Sequence, residues 1–528
     1  MNTQRSLLAV AVGLGARSVA GWTPSEEGLA TRLPTAEPKE LAAVRGEIRQ
    51  GRDPLGDRFC ALRSAADRRP MGATYTPFEL VDHMVEWAAK HVQPARIVDP
   101  GVGSGRFLLR AAESFPSAEL VGIEIDPLAA ILSRANLAIA GLADRSRVIL
   151  GDYRSVRLPA IAGPTLYIGN PPYVRHHQIP AEWKRWLSDG AVSAGCRSSQ
   201  LAGLHAHFFL ATALGAATGD HGVFITAAEW LDVNYGCLVR DLFLRRLGGL
   251  GVLVVEPTAS PFPDAATTAA ITSFQIEARP ARVGFRRIKS LAELDEPGKW
   301  LAVRRECLEA EPRWSHLSRG GGEMPSGFVE LGELFRVHRG QVTGANKIWI
   351  AGDHSADLPA SVLFPSVTKA RELLRAGLAL RDSSSLRQVI DLPTDLDALS
   401  PDDRARVERF LRAAKAAGAD RGYIARARRA WWSVGLRKPA PILATYMARR
   451  PPAFVRNLAE ARHINIAHGL YPREAFSADI LDKVAKFLSG NTNVASGRTY
   501  AGGLTKFEPR EMERLPIPTP EQFATIMK

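Results

Sequence analysis

Two rhythms of apolar positions run through the first half of this chain. Short continuous runs, Ile97-Val98, Leu120 to Ile125, Val148-Ile149-Leu150, Leu166 to Gly169 and Gly222 to Thr226, lack polar alternation and read as strands covered on both faces. Between them apolar residues recur every three to four positions, as at Leu80, Val81, Met84 and Val85, the spacing of a helix with one face on a core. Strand and helix in alternation predict an α/β domain with a doubly wound, mainly parallel sheet and helices on both faces. Thr76 is placed to cap the helix through Leu80, with Pro77 as its first residue.

Residues 1–66 read as a helical lead-in. The stretch from Ser6 to Ala16 loosely imitates a secretory h-region, but Gly13 and Gly15 interrupt it, and we read an amphipathic helix. From Thr35 to Arg69 the pattern is helical and polar, with Pro38 as a start and Asp53-Pro54-Leu55-Gly56 as a break. No chemistry is visible in this part.

At 528 residues the chain exceeds one ordinary core. The excess of 68 basic over 55 acidic residues, +13, points to a polyanionic partner such as nucleic acid. No run of about 18 apolar residues suggests a membrane span. The four cysteines are too scattered for a metal knuckle or a disulfide framework, which fits a reducing cytoplasm.

Candidate chemistry sits where the strand runs end. Asp99 stands at the tip of the first, and Gly101, Gly103 and Gly105 make a tight turn into the next helix, although Arg106 takes the place where a dinucleotide loop has Gly or Ala. Glu124 lies roughly 20 residues beyond the loop, the place of a carboxylate that grips ribose hydroxyls, and Asp152 ends a third strand, suited to an adenine amino group. The fourth run ends in Asn170-Pro171-Pro172-Tyr173, where two prolines forbid any continuation of the strand. Asn-Pro is a common turn former. It also suits a harder task. An amine on an aromatic base is a poor nucleophile, because its lone pair is delocalised into the ring. The Asn170 side-chain carbonyl and the Pro171 carbonyl can accept its two N–H bonds and aim the lone pair at an electrophilic methyl, while Tyr173 stacks on the base.

The ordered set GATYTP, DPGVGSGRFL, GIEIDP, GDY and NPPY, spanning about residues 67 to 280, resembles the class I amino-methyltransferases that act on adenine N6 in DNA, and most of all the TaqI-type (gamma-class) modification methylases of type II restriction-modification systems. The resemblance implies a Rossmann-like methyltransferase domain at 67–285 and S-adenosylmethionine as cofactor. Thr76 would contact its methionine end, Asp99, Gly101 and Gly103 would lie along the methionine and loop, Glu124 would hold the ribose and Asp152 the adenine amino group. Phe208, in a helix that departs from the family pattern at Gly203 and His205, would pack on the cofactor adenine. Phe262 would stack on the other face of the flipped base from Tyr173. His205 and His207 lie two apart on a helix and so do not face one another, and no metal is expected.

Residues 286–329, with Ser318-Arg319-Gly320-Gly321-Gly322, read as a crossing segment, and 330–528 as a separate α+β target recognition domain. Within it Arg421, Tyr423, Arg426, Arg428, Arg429, Trp431, Trp432, Arg437 and Lys438 interleave cations with aromatics, an arrangement suited to phosphates, guanine edges and stacked bases. The family reading is therefore a site-specific adenine methyltransferase acting on double-stranded DNA, expected to work as a monomer in the cytoplasm, with a separate cognate endonuclease implied by family habit. Two rivals stay open: a methyltransferase acting on RNA or a protein glutamine amide, since NPPY serves those nitrogens too, and a catalytically inactive DNA-binding specificity protein.

Overall fold

The computed structural model describes residues 3–526 except 64–74, 260–261, 263–267, 297, 299, 312, 320–326, 449, 493–496 and 501–503. Met71 to Thr74, most of the hairpin after Phe262, the Gly320-Gly321-Gly322 run and Ala501 to Gly503 thus lie outside the described residues. The chain divides into two compact units, Met1–Gly321 and Gly322–Lys528.

The first unit is built on nine strands: β1 (Arg96–Asp99), β2 (Glu119–Glu124), β3 (Ser146–Leu150), β4 (Thr165–Gly169), β5 (His221–Ala227), β6 (Gly249–Val255), β7 (Ala269–Gln275), β8 (Arg282–Ile288) and β9 (Leu301–Arg304). Their order is β3-β2-β1-β4-β5-β7-β6-β8-β9. The first five are parallel, with Val98 level with both Val121 and Tyr167. β7 runs antiparallel between β5 and β6, and β9 antiparallel on the far edge. The chain winds one way from β1 to β3 and the other from β4 to β5, so the crevice of this α/β sheet opens beyond the carboxyl ends of β1 and β4. β4 and β5 are buried at every position because helices cover both faces, which is why their sequence shows no alternation.

The lead-in forms a third layer. Helices Gln4–Gly13, Pro24–Ala30, Pro38–Arg49 and Pro54–Leu62 pack on the helix Pro127–Ile139, whose Leu128, Ile131 and Leu132 face them while Ala130 and Leu137 face the sheet. That helix is buried from Leu128 to Leu137, its polar Ser133, Arg134 and Asn136 included, because both its sides are covered. A fully buried Arg134 ties the layers, donating to Glu26 at 2.7 Å and to the carbonyls of Ala20, Gly21 and Val148 at 2.7, 2.6 and 2.8 Å.

The reading of 286–329 as a crossing segment does not hold for its described residues before 320. β8 and β9 extend the sheet, and Trp314, 1% exposed, packs edge-on against Trp230, Phe243 and Phe285. β9 is a four-residue edge strand with alternately half-buried and exposed residues, its outward positions Ala302 and Arg304, too short and too little buried to stand out from a linker in sequence.

The second unit holds a five-stranded sheet in the order Phe335–Arg339, Ala467–Pro472, Ile442–Thr445, Phe454–Asn457, Ala379–Leu380. The helix Ala478–Asn491 buries Leu481, Val484, Ala485 and Leu488 in that unit's first core. A second core gathers Val407, Phe410 and Leu411 of the helix Pro401–Ala416 with Trp349. Among the described residues no helix is long and apolar enough to cross a membrane.

Candidate active site

β1 ends at Asp99, and the chain turns through Gly103 (φ 52°) and Gly105 (φ 97°), left-handed conformations that favour glycine, into the helix Arg106–Ser114. Glu124, at the end of β2, accepts the Gly103 N–H at 2.9 Å and the Ile125 and Asp126 N–H groups at 2.9 and 3.0 Å. The carboxylate is thus locked to the loop it faces. Burial pushes its pKa up against those bonds. Burial also pushes the Asp99 carboxyl up to about 8, against the Gly101 N–H that its Oδ1 accepts at 3.2 Å. Asp99 Oδ2 is buried with no hydrogen-bond partner among the described residues.

Asn170 follows β4, and its Nδ2 donates to Thr76 Oγ1 at 3.1 Å. Thr76 does not cap its helix as the sequence suggests. The helix begins at Phe78 with Pro77 as N-cap, and the Thr76 hydroxyl turns to Asn170 instead. A cavity of about 420 Å3 opens over this crevice, and Thr76, Gly101, Gly103, Glu124, Asp152, Asn170, Pro172 and Phe208 line it. Seven motif-derived positions from five separate stretches, and the aromatic Phe208 from a sixth, thus converge. Asp99, Pro171, Tyr173 and Phe262 do not lie on its wall.

The cavity fits an adenosine-type cofactor carrying a cation. A Cβ added to Gly101 would reach only the Asn170 carbonyl, Phe208 and Pro172 at 3.8 to 4.0 Å, so the missing side chain leaves room inside the cavity. The Glu124 carboxylate stands on the wall, and beneath the loop lies the buried, unpartnered Oδ2 of Asp99, which a cation would draw into its charged form. The other end is aromatic, with Phe208, Tyr153 and Trp183.

Comparisons with known proteins assign the arrangement. Residues 52–205 match the N-6 DNA Methylase family, and residues 324–528 match the type II methyltransferase M.Eco57I C-terminal domain. The chain is 52% identical to the type II methyltransferase M.XamI of Xanthomonas campestris pv. amaranthicola, over 99% of both chains. This chain belongs to the type II DNA methyltransferases. It is an adenine-N6 methyltransferase that uses S-adenosylmethionine. M.AccI of Acinetobacter calcoaceticus is 21% identical over 85% of this chain and 86% of its own. The DNA complex of the type IIL restriction-modification enzyme MmeI shares the fold, with a TM-score of 0.55 at 13% identity over 94% of this chain and 74% of that one.

Two sequence-derived site assignments meet a different geometry in the methyltransferase. Asp152 is held by Arg154, whose Nε donates to Oδ1 at 2.9 Å and Nη2 to Oδ2 at 2.5 Å, while the guanidinium lies 3.6 Å from the Trp183 ring centre. Asp152 therefore meets any adenine amino group as half of an ion pair. Tyr173 and Phe262 do come together, but edge to face, with centroids 5.7 Å apart and planes at 68°. The two rings do not bracket a parallel slot, because Phe262, 2% exposed, packs in the core beside Tyr173.

The basic stretch of the methyltransferase's second unit also separates into two kinds of residue. Arg428 donates to the carbonyls of Val342 and Thr343 at 2.6 and 3.1 Å. Trp432 donates its indole N–H to the Pro393 carbonyl at 3.0 Å, and Trp431 packs against Trp349. These three are architectural. Arg426, Arg429, Arg437 and Lys438 are exposed, as is Tyr423 at 85%. The sequence reading missed Arg154 and Trp183, and saw only a helix break at Asp53; the Asp-Pro pair that marks an N-cap was the available signal.

Proposed function

We propose that Asn170 and Pro171 carry the methyl transfer, by accepting the two N–H bonds of the target adenine amino group and aiming its lone pair. The observation behind this is the Asn170 Nδ2 bond to Thr76 Oγ1, which turns the amide so that Oδ1 faces away from Thr76. When bound, S-adenosylmethionine supplies the electrophilic methyl group. Thr76, Gly101, Gly103 and Glu124 hold its methionine and ribose, with Asp99 beneath the loop. Asp152 with Arg154 takes the adenine edge, and Phe208 packs on its face. Pro171 and Pro172 keep the acceptor carbonyls from swinging, and the apolar wall excludes water from the reacting nitrogen. Tyr173 stacks on a base swung out of the duplex, an extrusion that costs about a few kcal/mol, and Phe262 sets the tilt of its ring.

The second unit selects the DNA site, with Arg426, Arg429, Arg437 and Lys438 on phosphates or base edges. The enzyme acts as a monomer on double-stranded DNA in the cytoplasm, paired with a separate cognate endonuclease. Full-length similarity to DNA methyltransferases supports DNA over the RNA or glutamine alternatives, and the presence of every motif residue around the cavity speaks against an inactive specificity protein. The test is transfer of labelled methyl to unmethylated plasmid DNA, with nucleoside analysis of the product. N6-methyladenine is expected; label in RNA or protein instead overturns the substrate. Asn170→Ala is expected to keep cofactor and DNA binding while kcat falls by about 10²-fold or more. Full activity in that variant overturns the mechanism.

A further inference from the structure

Asp53 lies outside every motif that shapes the site, yet its side chain is buried (1% exposed) and accepts four donors. The Gly56 N–H at 2.9 Å is the ordinary bond of a helix cap. Two of the others come from the glycine loop and the start of its helix, Ser104 Oγ at 2.5 Å and Arg106 Nε at 2.8 Å, and the third is Asn136 Nδ2 of the helix Pro127–Ile139 at 3.0 Å. A cap alone needs one acceptor, which Ser or Asn supplies equally well. A carboxylate is needed here because it faces a guanidinium, and the charge-assisted bond is the stronger kind.

Arg106 continues the line. Its Nη1 donates to the Thr76 carbonyl at 3.1 Å, Nη2 reaches Asp57 at 2.7 Å, and the guanidinium lies 5.2 and 5.1 Å from the ring centres of Tyr75 and Phe78. Thr76 in turn accepts the Asn170 amide through Oγ1. An unbroken path of hydrogen bonds therefore runs from the lead-in helix Pro54–Leu62 through the glycine-loop helix to the amide of Asn170. Arg106 sits at the loop position where a dinucleotide fold keeps a small residue for close helix packing, and here that position carries a tie instead.

We propose that Asp53 and Arg106 are positioning residues for methyl transfer, fixing the Thr76 backbone so that its hydroxyl holds the Asn170 amide in its transferring orientation. The two faces of a side-chain amide are nearly equal in shape, so only a hydrogen-bond partner distinguishes Oδ1 from Nδ2. Thr76 Oγ1 accepts from Nδ2 here; a hydroxyl can also donate, so what selects the orientation is where that hydroxyl is held, and its position follows from a backbone carbonyl that Arg106 grips. The inference rests on the reading of Asn170 as the residue that orients the target amine.

The test is a double-mutant cycle on the full chain with Asp53→Asn, Thr76→Val and the pair. Each protein is followed by kcat, by calorimetric affinity for S-adenosylmethionine and by thermal melting. Asp53→Asn is expected to lower kcat by about 10²-fold, the scale of a misplacement near 1 Å, with cofactor affinity held within about threefold. Because Asp53 acts through Thr76, the pair is expected to be no worse than Thr76→Val alone. Additive losses, an unchanged kcat, or a loss carried wholly by cofactor affinity overturns the proposal. Should Asp53→Asn fail to fold, Arg106→Lys and Arg106→Gln take its place in the cycle, with lysine expected to retain more kcat than glutamine because its ammonium still reaches one of the two partners; equal kcat in both overturns it. Asn170→Ala separates the two levels: activity there removes the underlying reading, whereas an inactive Asn170→Ala beside a fully active Asp53→Asn removes only this inference.

Discussion

The strand tips of the first unit and the basic stretch of the second both offer residue patterns suited to their chemistry, but the fold treats them differently. At the strand tips eight of the twelve site residues named from the sequence line one cavity, since a parallel sheet delivers the ends of β1 to β4 to the same edge whatever the loops do. In the stretch from Arg421 to Lys438 no such rule operates. Arg428, Trp431 and Trp432 turn inward to satisfy carbonyls and fill a core, while Arg426, Arg429, Arg437 and Lys438 stay in solvent. Topology positions a strand-tip residue before packing begins. A residue in an irregular loop is positioned only by the packing itself.

The comparison is most strongly challenged at Asp99. Burial holds its proton up to a pKa of about 8, so near neutral pH the site beneath the loop is largely uncharged. A cationic cofactor favours the carboxylate. Its affinity is therefore expected to rise with pH toward 8, by up to about tenfold per unit, and to level off above, with a proton released on binding. The sign for the fold alone is opposite: the folded chain keeps a proton that the unfolded chain releases near pH 4, so stability without cofactor falls as pH rises from about 4 to about 8. Calorimetry in buffers of different ionisation enthalpy reads the proton, and Asp99→Asn should flatten both profiles. An affinity independent of pH in the native enzyme would place Asp99 outside the cofactor's field.

The second unit gives the next largest effect. Arg428→Ala leaves the Val342 and Thr343 carbonyls without their donor and should cost about 1–3 kcal/mol of that unit's stability, read as a lower melting temperature or denaturant midpoint. Arg429→Ala, at an exposed position two residues before the indole pair, should leave stability within about 0.5 kcal/mol. If both variants melt alike, the division into architectural and exposed cations is wrong.

A finer contrast lies between the two aromatics beside the site. Tyr173→Ala removes the face proposed to meet the extruded base and should weaken binding of DNA with a flipped target by about 1–3 kcal/mol. Phe262→Ala removes a buried ring that meets Tyr173 only by its edge. It should weaken that binding less, with a larger share of its loss in folding stability. Fluorescence of a base analogue at the target position distinguishes them. An equal loss of extrusion in both would restore two-sided stacking, which the edge-on contact argues against.

What was legible in the sequence follows the same line. The α/β sheet, the glycine loop, Glu124, Asp152 and Asn170 could be read because strand runs and the residues ending them lie within a few positions of each other. The ties that complete the site span the chain: Arg106 reaches back to Asp53 and Thr76, and Arg134 to Glu26. Such pairs leave no local trace beyond a capping aspartate. β8 and β9 were hidden for the opposite reason: β8 carries Arg282, Arg286 and Arg287 among its seven residues and β9 is a short edge strand, so both have the composition of a linker.

The smallest expected effect is also the most selective. Arg429, Arg437 and Lys438 each present an exposed cation. A cation held on a phosphate adds affinity by counterion release, without regard to sequence. Replacing one by alanine should then lower affinity by a similar factor for cognate and non-cognate DNA, and reduce the slope of log affinity against log salt by about 1. A cation that reads a guanine edge behaves otherwise: its loss costs about 1–3 kcal/mol against the cognate site alone and relaxes preference at one base pair. Salt titrations of the three single variants on both DNAs sort each residue into one class or the other. Arg428→Ala serves as the internal standard, since its guanidinium is already engaged by backbone carbonyls and its removal should leave the salt slope where it is.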